Sequence, residues 1–291
     1  RHYLNGGNYP IGSSRRIAET TVEYLESMGS KVCVNAGVDT IITKKGKVEG
    51  VLLESGEEIH APIVISSAGV INTFDKFLRN ENNYLKYKKN LSKISPTSSY
   101  ICLYMGLNKS NKELKLSNTN LWIYPGYDHD QNLTNYSKNI DNEFPVIYIS
   151  FPSLKDPEYC MKNPNLNTME AITVSPWSYY RKWENKKWKN RGEDYENIKS
   201  ELSQRILNKV YQYIPQAENA MDFHELSTPL TVNSMANYKE GELYGINHNP
   251  SRFHQKWLRA ETDIKNLYLT GQDVVTVGLT SALFSGLLTA S

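Results

Sequence analysis

Cysteine is scarce in this chain: Cys33, Cys102 and Cys160 are the only three in 291 residues. Their odd number and wide spacing exclude a disulfide framework and a paired zinc-ligand motif, so three free thiols are expected. Long apolar runs are missing too. Nothing approaches the ~18 residues needed to cross a bilayer, and the first residues lack the pattern of a signal peptide. An excess of either charge is also absent: 33 Lys and Arg stand against 31 Asp and Glu, a balance of +2 that argues against a nucleic-acid partner. There is no Gly-x-Ser-x-Gly turn and no Gly-Lys-Ser/Thr phosphate loop, which removes the serine hydrolase and nucleoside triphosphatase classes. His248 and His254 have no third ligand at metal-binding spacing, so no metal site is expected.

What is present is ordinary globular material. With 39% hydrophobic and 22% charged residues the chain can bury a core, as one large or two modest domains. It begins at Arg1 without a methionine and stops inside an apolar helix at Ser291, so a longer parent protein is expected. The sequons at Asn90 and Asn132 are expected by chance in so Asn-rich a chain and carry no inference of secretion.

In chain order, Asn5 to Gly12 is a turn-rich stretch, and Ser13 or Ser14 can cap a helix that Gly29 stops, with Ala18, Val22, Leu25 and Met28 on one face. Lys31 to Asn35, Val38 to Thr43, Val48 to Leu53 and Glu58 to His60 are expected strands, with turns at Lys45-Gly46 and Ser55-Gly56. The apolar run Ile63 to Ser66 has the pattern of a buried parallel strand. Phe74, Phe77 and Leu78 fit a short helix, and a Lys, Asn and Tyr-rich linker runs on to about Ser95. Strands are then expected at Ser99 to Leu107, Asn120 to Tyr124, Pro145 to Phe151 and Met169 to Val174, followed by a helix from Tyr195 to Tyr213. Asp128-His129-Asp130 is expected to be a solvated loop. The aromatic and basic stretch Trp177 to Trp188 fits either a helix with its rings packed inward or a segment lying at a lipid interface.

The closing stretch carries the chemistry. Leu267 to Leu269 is a short apolar strand that meets Gly271, then Asp273, then Gly278 at the head of an apolar helix. Gly271 leaves room for a ligand against the backbone, Asp273 offers a carboxylate, and the helix amides at Leu279 and Thr280 suit a phosphate or an electron-rich ring oxygen. From pattern alone, a packed strand-to-helix turn fits as well.

Tyr268-Leu-Thr-Gly-Gln-Asp273 with Gly278-Leu-Thr-Ser-Ala-Leu-Phe-Ser-Gly286 resembles the C-terminal flavin motif of the phytoene desaturase, carotenoid isomerase and retinol saturase group of FAD enzymes. Further matches in the right order are Tyr9-Pro-Ile-Gly12, Ile63 to Gly69, Phe151 to Pro157, Thr228-Pro-Leu-Thr231 and Tyr244 to His248. The resemblance implies an α/β plus α+β architecture: part of a Rossmann-like, two-dinucleotide-binding FAD domain with an inserted substrate domain. The expected division is 1–94 and 223–291 for the FAD domain and 95–222 for the substrate domain.

The family's Gly-x-Gly-x-x-Gly turn is absent here, and in relatives it lies upstream, so only part of the FAD site is expected. The resemblance implies FAD contacts at Val38, Gly271, Asp273, Gly278, Leu279 and Thr280, with Val38 acting through its backbone on the adenine. It also implies a polyene or retinoid substrate, NAD(P)H as a conceivable electron donor, and either a membrane-associated location, the endoplasmic reticulum in a eukaryote, or a cytoplasmic one. Saturation of a carbon-carbon double bond is the leading expectation. Desaturation, isomerisation and a non-catalytic apolar-ligand carrier stay open. No catalytic residue is assigned: Tyr238 and Tyr244 are proton-donor candidates by chemistry only, and a structural role fits each of them better.

Overall fold

The computed structural model describes Leu4 and residues 6–291; Asn5, which heads the expected turn-rich stretch, lies outside the described residues. Ten strands follow one another: β1 (Val38–Lys44), β2 (Lys47–Leu53), β3 (Glu58–His60), β4 (Val64–Ser66), β5 (Tyr100–Leu107), β6 (Leu121–Ile123), β7 (Ile147–Ser150), β8 (Asn167–Val174), β9 (Met221–Ser227) and β10 (Leu267–Leu269). They belong to two compact units, each made of two separate stretches of chain. One comprises Arg1–Val32 with Ser99–Ala236, the other Cys33–Ser98 with Asn237–Ser291. These divisions fall a few residues after the expected 94/95 boundary and fourteen after 222/223, and they group the first helix with the middle segment.

The first unit is built on an antiparallel sheet of order β6-β7-β8-β5-β9. Alternation sets its inner face: Ile101, Leu103, Met105 and Leu107 on β5 are buried, as are Met169 and Ala171 on β8 and Ile147 and Ile149 on β7. The helix Glu193–Tyr213 supplies Leu202, Ile206 and Val210 to the same core, at the i, i+4, i+8 spacing of one helical stripe. Its first turn carries Glu193, Asp194 and Glu196, carboxylates that complement the helix dipole. Trp177, Tyr180 and Trp183 are buried in this core, so these three rings of the aromatic stretch pack inward, while Trp188 at its end is exposed.

The second unit has an antiparallel sheet, β1-β2-β3, and a parallel pair, β10 and β4. Gly50 lets β2 approach β3, since a Cβ there would sit 2.1 Å from the Ile59 carbonyl oxygen. Ile41, Val48, Phe74, Leu78, Ile246, Leu267 and Leu269 form the core.

Several expectations fail for local reasons. Lys31 to Asn35 is irregular rather than a strand, and Asn35 adopts the left-handed conformation at φ 56°. Ile63 and Ile65 are exposed, so within the described residues β4 is covered on one face only. The first helix, Arg15–Ser27, does end at a left-handed Gly29 but has no buried residue and no side-chain cap from Ser14. Asp128 is not in a loop: its carboxylate accepts the Gln131 amide at 2.9 Å and caps the helix His129–Lys138.

The wholly buried Ile206 sets a stability test. Ile206→Ala should cost about 2–5 kcal/mol through lost burial and a residual cavity, read as a lowered urea midpoint at unchanged slope.

Candidate functional site

The expected corner lies in the second unit, where β4 and β10 end side by side. Val64, Ile65 and Ser66 pair in parallel register with Leu267, Tyr268 and Leu269, and the Thr270 amide extends the ladder by donating to the Ser66 carbonyl at 2.9 Å. Both strands therefore release their loops at the same edge, the usual place for a ligand in a parallel sheet.

Asp273 organises those loops. Its side chain is buried, with one carboxylate oxygen accepting the Val70 amide at 2.9 Å and the other accepting the Ile246 amide at 3.0 Å. Three segments distant in sequence thus share one carboxylate. Gly245 makes the approach possible: a Cβ there would lie 2.2 Å from Asp273 Oδ1, and its backbone sits at φ 66°. Arg252, also buried, spans the same loop from behind. Its Nη1 donates to the Val275 carbonyl at 2.8 Å and its Nη2 to the Asp273 carbonyl. Burial lowers the guanidinium's pKa, and the Asp273 charge opposes that shift.

A small cavity of about 10 Å³, space for roughly one water, lies between Ala68, Gly69, Tyr238, Glu242, Gly245 and Asp273. Burial raises the pKa of Glu242, whose carboxylate accepts the Glu240 amide at 2.8 Å. Tyr238 is likewise raised by burial, and its hydroxyl accepts from Gln272 Nε2 at 3.0 Å. Tyr244 is exposed, and its amide donates to the Thr97 hydroxyl at 3.2 Å.

The helix Leu279–Ala290 is fastened to the end of β10 by two hydroxyls one turn apart. Ser285, wholly buried, accepts the Gly271 amide at 2.6 Å, and Thr289 donates to the Leu269 carbonyl at 2.9 Å. Gly278 enters this helix at φ 102° without a side-chain cap, so the amides of Leu279 and Thr280 stay at an uncapped, exposed helix start.

The structure thus brings Gly271, Asp273, Gly278, Leu279 and Thr280 onto one strand-loop-helix segment. Val38 stands apart from it, at the head of β1 in the other sheet, beside a bulge in the β1–β2 ladder. The donor set suits a flat electron-rich group. A Cβ at Gly271 would meet only the Ser67 carbonyl oxygen, at 3.9 Å, and one at Gly278 would meet nothing within 4 Å, so the backbone is open on the side a ring would approach. The Asp273 side chain differs from its expected role as a ligand contact in one respect: both of its oxygens are engaged by main-chain amides.

Arg252, Gly245, Glu242, Ser285 and Thr289 were not among the expected site residues. For the hydroxyl pair the signal was present, as two hydroxyls four residues apart in an otherwise apolar helix. Among the described residues, no group of three or more His, Cys, Asp or Glu is placed to hold a metal ion.

No family model matches the chain. It is 33% identical over its whole length to the all-trans-retinol 13,14-reductase of Danio rerio, covering 50% of that protein. It is 28% identical over 79% of its length to the chloroplastic prolycopene isomerase of Arabidopsis thaliana, covering 36% of it. The chain spans about half the length of the curated retinol reductases it matches. In structure it resembles an oxidoreductase from Methanosarcina mazei at TM-score 0.62 and 15% identity, over 97% of this chain and 55% of that one. The fold is accordingly a partial two-dinucleotide-binding flavoprotein fold.

Asp273→Asn tests the brace. An amide in that place offers one acceptor and turns a donor toward the other N–H, so a loss of about 1–3 kcal/mol is expected, measured by thermal unfolding.

Proposed function

We propose, from the premise that this chain belongs to the phytoene desaturase, carotenoid isomerase and retinol saturase group of flavoproteins, that the whole protein is an FAD-dependent oxidoreductase that saturates a carbon-carbon double bond of a polyene. The observation that carries this reading is the corner after β10: an open backbone at Gly271 followed by an uncapped helix start, on a chain similar throughout its length to retinol reductases. When bound, FAD supplies the hydride chemistry that no side chain can perform.

The protein's part is to bind and tune the cofactor. Gly271 and Gly278 keep side chains away from the ring, and the Leu279 and Thr280 amides offset negative charge on its oxygen edge through the helix dipole. Asp273 fixes the loop on which these groups sit and has spare lone pairs for a ligand hydroxyl. Val38 contributes main-chain groups toward the adenine. A reduced nicotinamide, NAD(P)H, serves as electron donor in this reading. The substrate is an apolar retinoid or carotenoid. Attachment to a membrane surface draws no support from the Trp177 to Trp188 stretch, where Trp177, Tyr180 and Trp183 are buried.

The likeness to a prolycopene isomerase favours isomerisation as the second reading. Incubating the full-length protein, with its flavin reduced in one arm and oxidised in the other, with all-trans-retinol and with phytoene separates the cases by product mass. A gain of two hydrogens on retinol is the expected result. A loss of two supports desaturation and an unchanged mass with altered retention supports isomerisation, either of which overturns saturation. Bound polyene on the oxidised protein with no flavin absorbance at about 450 nm marks a carrier and overturns an enzymatic role.

A second measurement addresses the helix start directly. Leu279→Pro removes one amide donor at a position where proline is tolerated, so bound flavin should fall about three- to tenfold in affinity while the melting temperature holds.

A further inference from the structure

The sheet of the first unit has a second face that the core does not use. Across its centre, Glu225, Tyr104, Glu170 and Ser150 stand in one row on β9, β5, β8 and β7. The next row is Ser227, Cys102, Ile172, Tyr148 and Trp122, ending in a ring contact of 4.7 Å between the last two. Residues directly opposite in an antiparallel pair share a face, and the alternate residues of the same strands are buried on the other side. Rings, a thiol and an isoleucine make up much of this surface, with Ser150 and Ser227 among them, Glu170 at the middle and the exposed Glu225 toward the β9 edge.

Glu170 is unusual there because it is half-buried yet makes no hydrogen bond or ion pair with any described residue. The nearest cation, Lys155, directs its ammonium to the Ser150 hydroxyl at 3.0 Å and to the Asn120 side-chain oxygen. Burial raises the carboxyl's pKa, and Lys155 only partly opposes it. Its field is felt by its neighbours: the Cys102 thiol is pushed up to about 12 by burial and then by Glu170, Tyr9 is raised by burial and then by Glu170, and Tyr104 is raised by burial, then by Cys102, and least by Glu170. A carboxyl without a partner on an apolar face calls for a mostly apolar ligand that brings one hydroxyl.

Resting on the function proposed above, we infer that this face receives the substrate and that Glu170 bonds its terminal hydroxyl, selecting a polyene alcohol over the corresponding hydrocarbon. The apolar chain lies along the Cys102, Ile172 and Tyr148 row, two residues along β8 from the carboxyl. An alcohol satisfies Glu170, whereas a hydrocarbon of the same shape covers it and leaves it unpaired, which is the costly case.

The pH dependence has a definite sign. The hydrocarbon analogue covers Glu170 and offers it no hydrogen bond, which penalises the charged form and raises its pKa further, whereas the alcohol's hydroxyl donates to the carboxylate and offsets that shift. Affinity for the hydrocarbon is therefore full below the carboxyl's pKa in the free protein and declines as pH rises through it, and the preference for the alcohol widens over the same range. The groups facing Glu170 are Cys102 and Tyr104 from β5, Lys155 from the short helix Pro152–Lys155 and Tyr9, with Glu225 beyond Tyr104. None of the three hydroxyls and thiols ionises in the acidic range, which leaves Glu170 to carry the slope.

The test is equilibrium titration of the full-length protein with all-trans-retinol and with its analogue bearing hydrogen in place of the hydroxyl, across pH, with flavin content and melting temperature recorded for each variant. The wild type should prefer the alcohol about tenfold or more. Glu170→Gln should keep that preference and lose the pH slope, and Glu170→Leu should bind both compounds equally, each with flavin content unchanged. An alcohol preference that survives in Glu170→Leu overturns the inference alone and leaves this face to protein contacts. If Glu170→Leu fails to fold, a pH slope that persists in Glu170→Gln overturns it instead. A wild type that binds flavin but neither polyene refutes the functional reading, and this inference with it.

Discussion

The second unit depends on one carboxylate. Two of its segments, Cys33–Ser98 and Asn237–Ser291, are separated by more than a hundred residues, and the parallel pairing of β4 with β10 spans only three residues on each strand. So short a parallel pair is weak by itself, since parallel sheets are normally broad and covered on both faces. Asp273 adds what the ladder lacks. By accepting amides from Val70 and Ile246 it joins the loop after β10 to the turn after β4 and to the 245–246 segment, with charge-assisted bonds stronger than neutral ones.

The placement of the last helix follows from that brace. Once the loop 270–273 is held, Ser285 meets the Gly271 amide and Thr289 meets the Leu269 carbonyl, and the helix start is aimed by its far turns rather than by a cap. A cap would have consumed the amides that a ligand needs. In the first unit the division of labour is between the two faces of a sheet. The face toward Glu193–Tyr213 is closed by Ile206, Val210 and the buried rings. The other carries aromatic side chains and two carboxyls that pair with no described residue, Glu170 half-buried and Glu225 exposed.

Much of the fold was legible because its signals are local. Val38 to Thr43, Val48 to Leu53, Ser99 to Leu107 and the Tyr195 to Tyr213 stripe match observed elements within a few residues. The failures share a cause, which is that pattern does not report partners. Lys31 to Asn35 has the composition of a strand but pairs with no strand among the described residues. Ile63 to Ser66 has the pattern of a strand covered on both faces, yet Ile63 and Ile65 are exposed. Asp128 looked like loop chemistry because an aspartate that caps a helix and one that sits in a turn are the same residue before the hydrogen bond is seen. At the site, Gly271 and Gly278 stand out by their neighbours while Arg252 lies some twenty residues from the loop it holds, and in the first unit Glu170 differs from the equally unpaired strand residue Glu225 by its burial.

Asp273 is an acid because each of its oxygens must accept a main-chain amide. Two N–H groups converging on one side chain need an acceptor on both sides, which an amide cannot provide, and a buried charge needs compensation. Arg252 supplies part of it without forming an ion pair: its guanidinium binds the carbonyls of Asp273 and Val275, one peptide group behind the carboxylate. Each charge is thus solvated by backbone dipoles rather than by the other, an arrangement that fixes main-chain geometry more firmly than a direct pair would. That rigidity is what an open glycine corner requires, because a loop without side chains at Gly271 and Gly278 has no packing of its own to hold its shape.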